Sequence, residues 1–333
     1  MTAERWAGRS VLVTGGLGFI GSHFAEHLLA RGARVVCTHR RLRDGVGTAW
    51  GRTGDLRLIE LDLRDPGSSA AAFAEAGPFD CVVHCAALGG NPSFQATHPA
   101  LVLDENVRMT ANVLECARRF DVPDTVLISS VSVYCAPPGE LVTEDDDYHR
   151  YLSYAPNGYI LSKLYGEMLA ELSRSQYGMR VFVARPSNVY GPRDNLELSS
   201  TNVIPGMLHR MASGRTVEIW GDGSQTRSFL YVDDLVPATL AMVESGEFTT
   251  FNVGPAESTS IVELAHTLSD VLGVRPRLEF LADKQSGAAE RCVDFGRVRQ
   301  VTGLTPRSLR TGLAETVAWF RGRHTASRAQ ESQ

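Results

Sequence analysis

The sequence predicts an α/β protein, in which a doubly wound parallel sheet is followed by a smaller α/β domain. Apolar strands alternate with amphipathic helices over the first half of the 333 residues, and this alternation stops near residue 187. The strands are apolar almost throughout, rather than on alternate residues. Strands of that kind are typical of a parallel sheet whose two faces are both covered by helices.

The predicted elements follow one another in chain order. Strands are predicted at 10–14, 33–38, 56–61, 81–86, 126–130 and 180–185, and helices at 21–32, 106–120, 158–178 and 258–273. Apolar positions three and four apart mark the helices, and β-branched runs mark the strands. The last helix starts with a capping box, Ser260 to Glu263. The expected domains are 1–186 and 187–325, with 231–254 returning to the first and a disordered tail at 326–333.

The composition is that of an ordinary globular protein, with 43% hydrophobic and 21% charged residues. A net charge of −5 gives no reason to expect nucleic acid or an anionic membrane as a partner. No apolar run approaches the roughly 18 residues of a membrane span, and the N-terminus is too polar for a signal peptide. The six cysteines form no CxxC pair. We therefore expect reduced thiols, no metal site and a cytoplasmic location.

A glycine-rich turn, TGGLGFIG at 14–21, separates the first predicted strand from the first helix. Gly15, Gly18 and Gly21 would let the backbone approach a pyrophosphate at the helix N-terminus, with Phe19 and Ile20 beside it. In this strand-turn-helix context the motif predicts a Rossmann-type dinucleotide-binding domain. A plain tight turn is the alternative.

The residues at the end of the second strand decide whether such a site prefers NAD or NADP. An NAD site usually carries an acid there, about 20 residues beyond the glycines, and this acid binds the ribose. This chain has His39, Arg40 and Arg41 instead, and guanidinium groups bind a 2′-phosphate well. NADP is therefore the expected cofactor, with NAD as the alternative if the arginines are ordinary surface residues. Asp62 and Leu63, after the third strand, are placed to meet the adenine.

Three serines and a tyrosine end the strand segment VLISSVSVYC at 126–135, where a Gly or Pro turn would be more usual. Downstream, Tyr159 and Lys163 stand four apart in GYILSK, so they share one face of a helix. An ammonium beside a phenol favours the phenolate. Lys163 should therefore lower the pKa of Tyr159 towards a useful acid/base range.

Six segments, in this order, resemble the extended short-chain dehydrogenase/reductases, the NAD-dependent epimerase/dehydratase family that acts on nucleotide-activated sugars. They are TGGLGFIG, CVVHCAA, ISSVSVY, YILSK, RPSNVYGP and GDGSQTRSFLYVDD. Within the family, the segments GPRDNLELSSTNVIPGMLHR and AALGGNPSFQATHP look most like GDP-L-fucose synthases, and UDP-sugar 4-epimerases are also similar.

The resemblance implies a catalytic trio. Ser130 would hydrogen-bond the sugar oxygen, Tyr159 would exchange its proton, and Lys163 would hold the nicotinamide ribose. Ser129 would be backbone filler near the cofactor. The remaining cofactor contacts that the resemblance implies are Ala86, Ala87, Leu88 and Pro186.

The resemblance also points to two positions where relatives carry groups that remove protons from carbon. Fucose synthases have a cysteine at the position of Ser132, working with a histidine that aligns with Asn202, and 4,6-dehydratases have an acid near Ser132. A serine near its normal pKa is a poor base for a C–H bond, and an amide is no proton acid. Hydride transfer without dehydration or 3,5-epimerisation is therefore expected. The other substrate contacts implied are Asn188, Val203, Arg227, Lys284 and Arg291, with Asn188 and Arg227 on the pyrophosphate.

The leading interpretation is an enzyme that prefers NADP and reduces or epimerises a nucleotide-activated hexose at C4, with a GDP-sugar favoured. One alternative is a UDP-sugar 4-epimerase that retains NAD. Another is a non-catalytic NADP-binding sensor, against which the intact trio argues. Relatives dimerise through the helix that carries the tyrosine, so a homodimer is implied. Leu161, Leu164 and Leu169 would supply its apolar surface unless they face their own sheet.

Overall fold

The computed structural model describes residues 5–41, 55–89, 92–134, 139–146, 157–195, 202–282, 284 and 292–331, with 92, 93, 292 and 323–331 as backbone alone. The strands are β1 (Ser10–Thr14), β2 (Arg34–His39), β3 (Leu56–Glu60), β4 (Cys81–His84), β5 (Asp124–Ile128), β6 (Leu141–Val142), β7 (Val181–Pro186), β8 (Asn188–Tyr190), β9 (Val217–Trp220), β10 (Thr226–Arg227), β11 (Phe229–Tyr231), β12 (Thr250–Val253), β13 (Thr259–Ser260), β14 (Leu278–Leu281) and β15 (Cys292–Val293). The helices are α1 (Phe19–Leu29), α2 (Pro66–Ala76), α3 (Pro92–Thr97), α4 (Pro99–Arg119), α5 (Gly158–Tyr177), α6 (Val203–Ala212), α7 (Val232–Ser245), α8 (Ile261–Leu272), α9 (Gly296–Thr302) and α10 (Leu309–Glu331).

Seven strands form one sheet in the order β12-β7-β5-β4-β1-β2-β3. Every neighbouring pair in it is parallel. The winding reverses between β1 and β4, and sheets of this kind bind ligands at the carboxyl ends of the strands beside such a reversal. The predicted α/β fold with a doubly wound parallel sheet is confirmed.

Helices cover both faces of the sheet, as the apolar strands predict. Val11 and Val13 of β1 pack in one cluster with Phe24 of α1. Leu12, between them in the strand, packs in another cluster with Phe73 of α2. Successive side chains of a strand point to opposite faces, so an apolar residue at every position is what a sheet buried on both sides requires.

The second half of the chain contains shorter strand pairs and a core of its own. β8 pairs with β11, β9 with β14, and β10 with β13. Helices α6, α8 and α10 enclose this second core, which includes Leu208, Ile219, Leu264 and Leu313. The capping box of α8 forms as predicted. β12 joins the main sheet beside β7, and the division into two domains at residue 187 stays a prediction.

The helix α10 continues to Glu331, into the segment where the sequence predicted a disordered tail at 326–333. Good helix formers such as Ala, Arg, Gln and Glu dominate this segment, so a helix can extend there. None of the described helices combines the length and the apolar character that crossing a bilayer needs.

The helices α4 and α5 pack against each other. Of the leucines expected on the outer surface, Leu164 is buried, with 6% exposed, and Leu169 packs against buried residues of the sheet. That part of the expectation is wrong, because both side chains turn towards the protein's own core. Leu161 is 36% exposed, and Met168 and Leu172 are 44% and 61% exposed.

Candidate active site

The glycine-rich turn lies at the reversal of the sheet, directly after β1. Gly15 has a φ of +64°, and a Cβ there would lie 2.9 Å from the Cα of Ala86. A Cβ on Gly21 would lie 2.3 Å from the carbonyl oxygen of Gly15. Gly18 precedes α1, and within the described part of the chain no side chain caps that helix end. The turn is therefore a cradle of backbone amides that suits a pyrophosphate.

A cleft beside this cradle brings together most of the residues predicted to bind the cofactor. They are Gly15, Gly18, His39, Arg40, Arg41, Asp62, Leu63, Ala86, Ala87 and Leu88. Other predicted cofactor contacts lie outside its lining: Phe19 and Ile20 are in the first turn of α1, Tyr159 and Lys163 are on α5, and Pro186 ends β7.

Two charged residues that sequence reasoning missed, Arg64 and Glu105, meet at the end of the cleft where Asp62 and Leu63 are expected to contact the adenine. The Nε of Arg64 lies 2.8 and 3.0 Å from the carboxylate oxygens of Asp62, and its Nη1 lies 2.7 Å from Oε1 of Glu105. The hydrogen bond from Arg64 lowers the pKa of Asp62 to about 2. The Nη1 of Arg40 is 3.5 Å from Oε2 of Glu105. The sequence gives no signal for Glu105, which reaches the cleft from the middle of α4.

Asn106, the next residue of α4, is also a residue that the sequence did not single out. Its Oδ1 accepts a hydrogen bond from the amide of Leu88 at 2.7 Å, and its Nδ2 donates to the carbonyl of Leu88 at 3.0 Å. The Nδ2 also donates to Oγ of Ser162 on α5 at 3.3 Å. Asn106 thus joins the floor of the cleft to the helix that carries Tyr159.

The two serines after β5 have different partners. The Oγ of Ser130 accepts a hydrogen bond from the amide of Ser132 at 3.1 Å and caps a 3-10 turn at Val131–Val133. Ser129 is buried, and its hydroxyl donates to the carboxylate of Glu167 on α5. The expectation that Ser129 is backbone filler is wrong, because its side chain fastens the end of β5 to α5.

Glu167 belongs to an ion pair with Arg185 of β7, whose side chains are 1% and 0% exposed. The Nη2 of Arg185 is 2.6 Å from one carboxylate oxygen, and its Nε is 3.1 Å from both. Arg185 also donates to the hydroxyl of Tyr134, which donates to Oδ1 of Asn252 at 2.9 Å. The tyrosine that ends the serine-rich strand segment therefore serves a buried polar network.

Asn157 places the other two members of the trio. Its Oδ1 caps α5 by accepting hydrogen bonds from the amides of Tyr159 and Ile160 at 3.0 and 3.2 Å. One turn later, the Nζ of Lys163 donates to the carbonyl of Ile128 at 2.7 Å and lies 5.5 Å from the centre of the Tyr159 ring. Since α5 packs against the 3-10 turn that Ser130 caps, the trio lies at the carboxyl end of β5.

Burial controls the titration of this pair. It raises the pKa of Tyr159 to about 12 and lowers that of Lys163 to about 8. The expected lowering of the tyrosine pKa is therefore wrong for the protein by itself. The ammonium of Lys163 faces a ring and a backbone carbonyl, and desolvation of the phenolate outweighs its attraction.

The positions predicted to hold the substrate pyrophosphate are linked in the structure. Asn188 begins β8 with an exposed side chain, and its Nδ2 donates to the carbonyl of Ser228 at 3.0 Å. Ser228 directly follows Arg227, which lies opposite Thr259 in the β10–β13 pair. Burial lowers the pKa of Arg227. The structure thus brings Asn188 and the strand of Arg227 together.

The other predicted substrate contacts are more scattered. Asn202 is the residue before α6, and Val203, the first of that helix, is 38% exposed. The Nζ of Lys284 lies 3.4 Å from Oε2 of Glu218 and 5.2 Å from the ring centre of Trp220 on β9, an exposed aromatic side chain that the sequence did not single out. Arg291 lies outside the described residues.

Comparison with known proteins agrees with this geometry. Residues 11–254 match the NAD dependent epimerase/dehydratase family. A dTDP-4-dehydro-6-deoxy-D-allose reductase from Streptomyces bikiniensis is 48% identical over 322 residues, which are 96% of this chain and 99% of that protein. A protein of the same name from another Streptomyces is 46% identical over the same shares. The GDP-L-fucose synthase of Escherichia coli (strain K12) is 30% identical, over 80% of this chain and 89% of its own.

Solved structures show the same similarity in three dimensions. The UDP-glucose 4-epimerase of Thermotoga maritima, solved with UDP-glucose, has a TM-score of 0.82 at 26% identity. The UDP-glucose 4-epimerase of Thermus thermophilus, solved with NAD, has a TM-score of 0.80 at 26% identity. Each comparison covers 94% of this chain and 99% of the other.

Proposed function

The chain belongs to the NAD dependent epimerase/dehydratase family and is an enzyme, and we propose that it reduces the C4 ketone of a dTDP-activated 4-keto-6-deoxyhexose with NADPH. One observation carries the proposal. The trio for hydride and proton transfer, Ser130, Tyr159 and Lys163, is complete, while Ser132 and Asn202 stand where an enzyme that also epimerises carbon centres needs an acid and a base.

The choice of dTDP comes from the relatives. Two Streptomyces proteins named dTDP-4-dehydro-6-deoxy-D-allose reductase are 48% and 46% identical over almost the whole chain, whereas the Escherichia coli GDP-L-fucose synthase is 30% identical over a smaller share. The sequence by itself favoured a GDP-sugar. The larger similarity to the dTDP-sugar enzymes is the reason for proposing dTDP in its place.

The residues of the cleft fit NADPH. The glycine turn depends on close approach of the backbone to itself, because a Cβ on Gly15 or Gly21 would meet neighbouring backbone, and the backbone amides at the start of α1 suit a pyrophosphate. Arg40 and Arg41 line the same cleft and suit a 2′-phosphate. When bound, the cofactor supplies a hydride to the sugar carbon.

Calorimetry should show NADPH bound more tightly than NADH by about 1–3 kcal/mol. Arg40→Ala should weaken the binding of NADPH and leave that of NADH unchanged. Equal affinities in the wild-type protein would contradict this.

The three residues of the trio have different roles in the reaction. Tyr159 would give its hydroxyl proton to the C4 oxygen, while the hydroxyl of Ser130 donates a hydrogen bond to that oxygen. Because burial raises the pKa of Tyr159 to about 12, the phenol is protonated at neutral pH, which is the state that a reduction needs. Lys163, fixed by the carbonyl of Ile128, would present its remaining N–H groups to the nicotinamide ribose.

The described residues of the site offer little to remove a proton from C3 or C5. The amide of Ser132 is bonded to Ser130, and its hydroxyl is a weak base. In residues 139–146, the described part of the acidic segment that follows Ser132, Glu144 accepts from the amide of Asn252 at 2.8 Å and Asp145 pairs with Arg297 at 2.6 Å. We infer that the enzyme leaves the configuration at C3 and C5 unchanged.

The test is a reaction in deuterated water with NADPH and a dTDP-4-keto-6-deoxyhexose, followed by absorbance and by NMR of the product. NADPH should be consumed, and C3 and C5 should gain no deuterium beyond the uncatalysed background. Enzyme-dependent deuterium at either carbon would show that a base has been overlooked. Consumption of NADPH with the matching GDP-sugar alone would restore the GDP assignment.

A 4-epimerase is the second candidate, favoured by the similarity to the two UDP-glucose 4-epimerase structures. Such an enzyme returns the hydride to its substrate and has no need to release its cofactor. The absorbance spectrum of the purified protein separates the two functions. A tightly retained nicotinamide would favour the epimerase, and free exchange with added NADPH would favour the reductase.

We further propose that the enzyme is a homodimer that uses the outer side of α4 and α5. Leu161, Met168 and Leu172 of α5 and Leu101 of α4 are large apolar side chains between 36% and 61% exposed. Apolar side chains gathered on one exposed face mark interaction surfaces. A second copy of the chain would bury them.

A further inference from the structure

A carboxylate lies at the adenosine end of the cleft, although arginines occupy the position where the sequence of an NAD site would have one. Glu105 comes from α4, is 9% exposed, and lines the same cleft as His39, Arg40 and Arg41. An acid in this part of a dinucleotide site binds the 2′-hydroxyl of the ribose. The same charge repels a 2′-phosphate.

Arg64 offsets the charge of this carboxylate. Its Nη1 lies 2.7 Å from Oε1 of Glu105, while its other nitrogens hold Asp62. Arg40 is less tightly engaged, since its Nη1 is 3.5 Å from Glu105 and its side chain is 57% exposed. Arg64 is therefore the guanidinium committed to the carboxylates, and Arg40 is the one able to turn to a ligand phosphate.

We propose that Glu105 and Arg64 together set the choice between NADP(H) and NAD(H). Glu105 is the ribose-binding acid, supplied by α4 in place of the end of β2, and Arg64 is the counter-charge that lets the same pocket accept a 2′-phosphate. This inference rests on the proposed function, because it requires a nicotinamide dinucleotide in the cleft. It makes two opposite predictions: Glu105 limits the preference for NADPH, and Arg64 maintains it.

Calorimetric titration with NADPH and NADH, at one fixed ionic strength, tests both predictions. Glu105→Gln should raise the ratio of the NADH to the NADPH dissociation constant about tenfold, and Arg64→Met should lower it about tenfold. Two variants on α4, about three turns beyond Glu105, remove the same charges from one exposed ion pair outside the cleft: Glu115→Gln and Arg118→Met. They should leave the ratio unchanged, because charges exposed at a distance are screened.

The outcomes separate this inference from the proposed function. A variant that changes both dissociation constants equally, or controls that shift the ratio as much, would overturn the inference. A lower ratio in Glu105→Gln would also overturn it, since Glu105 would then be holding Arg40 in place for the phosphate. Wild-type protein that binds neither nucleotide would overturn the proposed function itself.

Discussion

Replacing Arg185 by methionine should destabilise the protein by about 3–5 kcal/mol, because it leaves a buried carboxylate without its counter-ion. The side chains of Arg185 and Glu167 are 0% and 1% exposed, so water cannot replace the lost partner. Arg185 brings two nitrogens to Glu167, and the hydroxyl of Ser129 brings a further donor. One hydroxyl hydrogen bond is worth much less than a buried charge costs.

Thermal unfolding followed by circular dichroism measures this effect. At about 2.1 cal/mol/K of unfolding entropy per residue, such a loss in this chain corresponds to a Tm lower by about 4–7 °C. The double variant Glu167→Met/Arg185→Met removes both charges and should recover most of the difference. As a control, Arg108→Met breaks an ion pair whose side chains are 61% and 57% exposed, and its Tm should match that of the wild type.

Two results would refute the reasoning. One is a Tm for Arg185→Met within about 1 °C of the wild type, which would mean that the carboxylate finds water or another donor. The other is a double variant that melts no higher than the single one. In that case the loss would come from packing of the arginine side chain and not from an unpaired charge.

Three other predictions concern the helix α5. Tyr159→Phe should cut turnover by roughly 10²–10⁴ while nucleotide-sugar binding persists, because only the proton donor is lost; near wild-type turnover would refute its role. Burial lowers the pKa of Lys163 to about 8, so the native state loses this proton before the unfolded chain does. The stability of the wild type relative to Lys163→Met should therefore rise between about pH 8 and pH 10.4, and a constant difference in Tm would contradict this. Sedimentation should show a dimer for the wild type and a monomer for Met168→Glu/Leu172→Glu with an unchanged circular dichroism spectrum; a wild-type monomer at micromolar concentration would rule the dimer out.

The parallel sheet and the glycine cradle could be predicted because each depends on a local pattern, an apolar run or a strand-turn-helix spacing. The polar contacts between residues far apart in the sequence could not be predicted. Ser129 meets Glu167 across 38 positions, and Arg40 meets Glu105 across 65. Such pairs arise when the strand order brings distant segments to one edge of the sheet. The identity of a serine or a glutamate does not show which distant residue it will contact at that edge.

The error over Tyr159 has a related cause. The spacing of Tyr159 and Lys163 correctly places them on one face of α5, but it gives neither the direction of the ammonium nor the depth of burial. In the structure the ammonium is held by Ile128, and desolvation controls the pKa of the phenol. In the same way, helical periodicity could not tell that Leu164 faces the core while Leu172 faces outwards.

Strand β12 lies at the edge of the main sheet beside β7, yet a ribosome makes it only after the strands and helices from β8 to α7. Until Thr250–Val253 has emerged, the backbone of β7 has one unpaired edge, and Tyr134 lacks the acceptor that Asn252 provides. Unpaired strand edges recruit other chains, and partly made proteins expose them during synthesis. Nascent chains that stop before Thr250 should therefore need a chaperone to stay in solution.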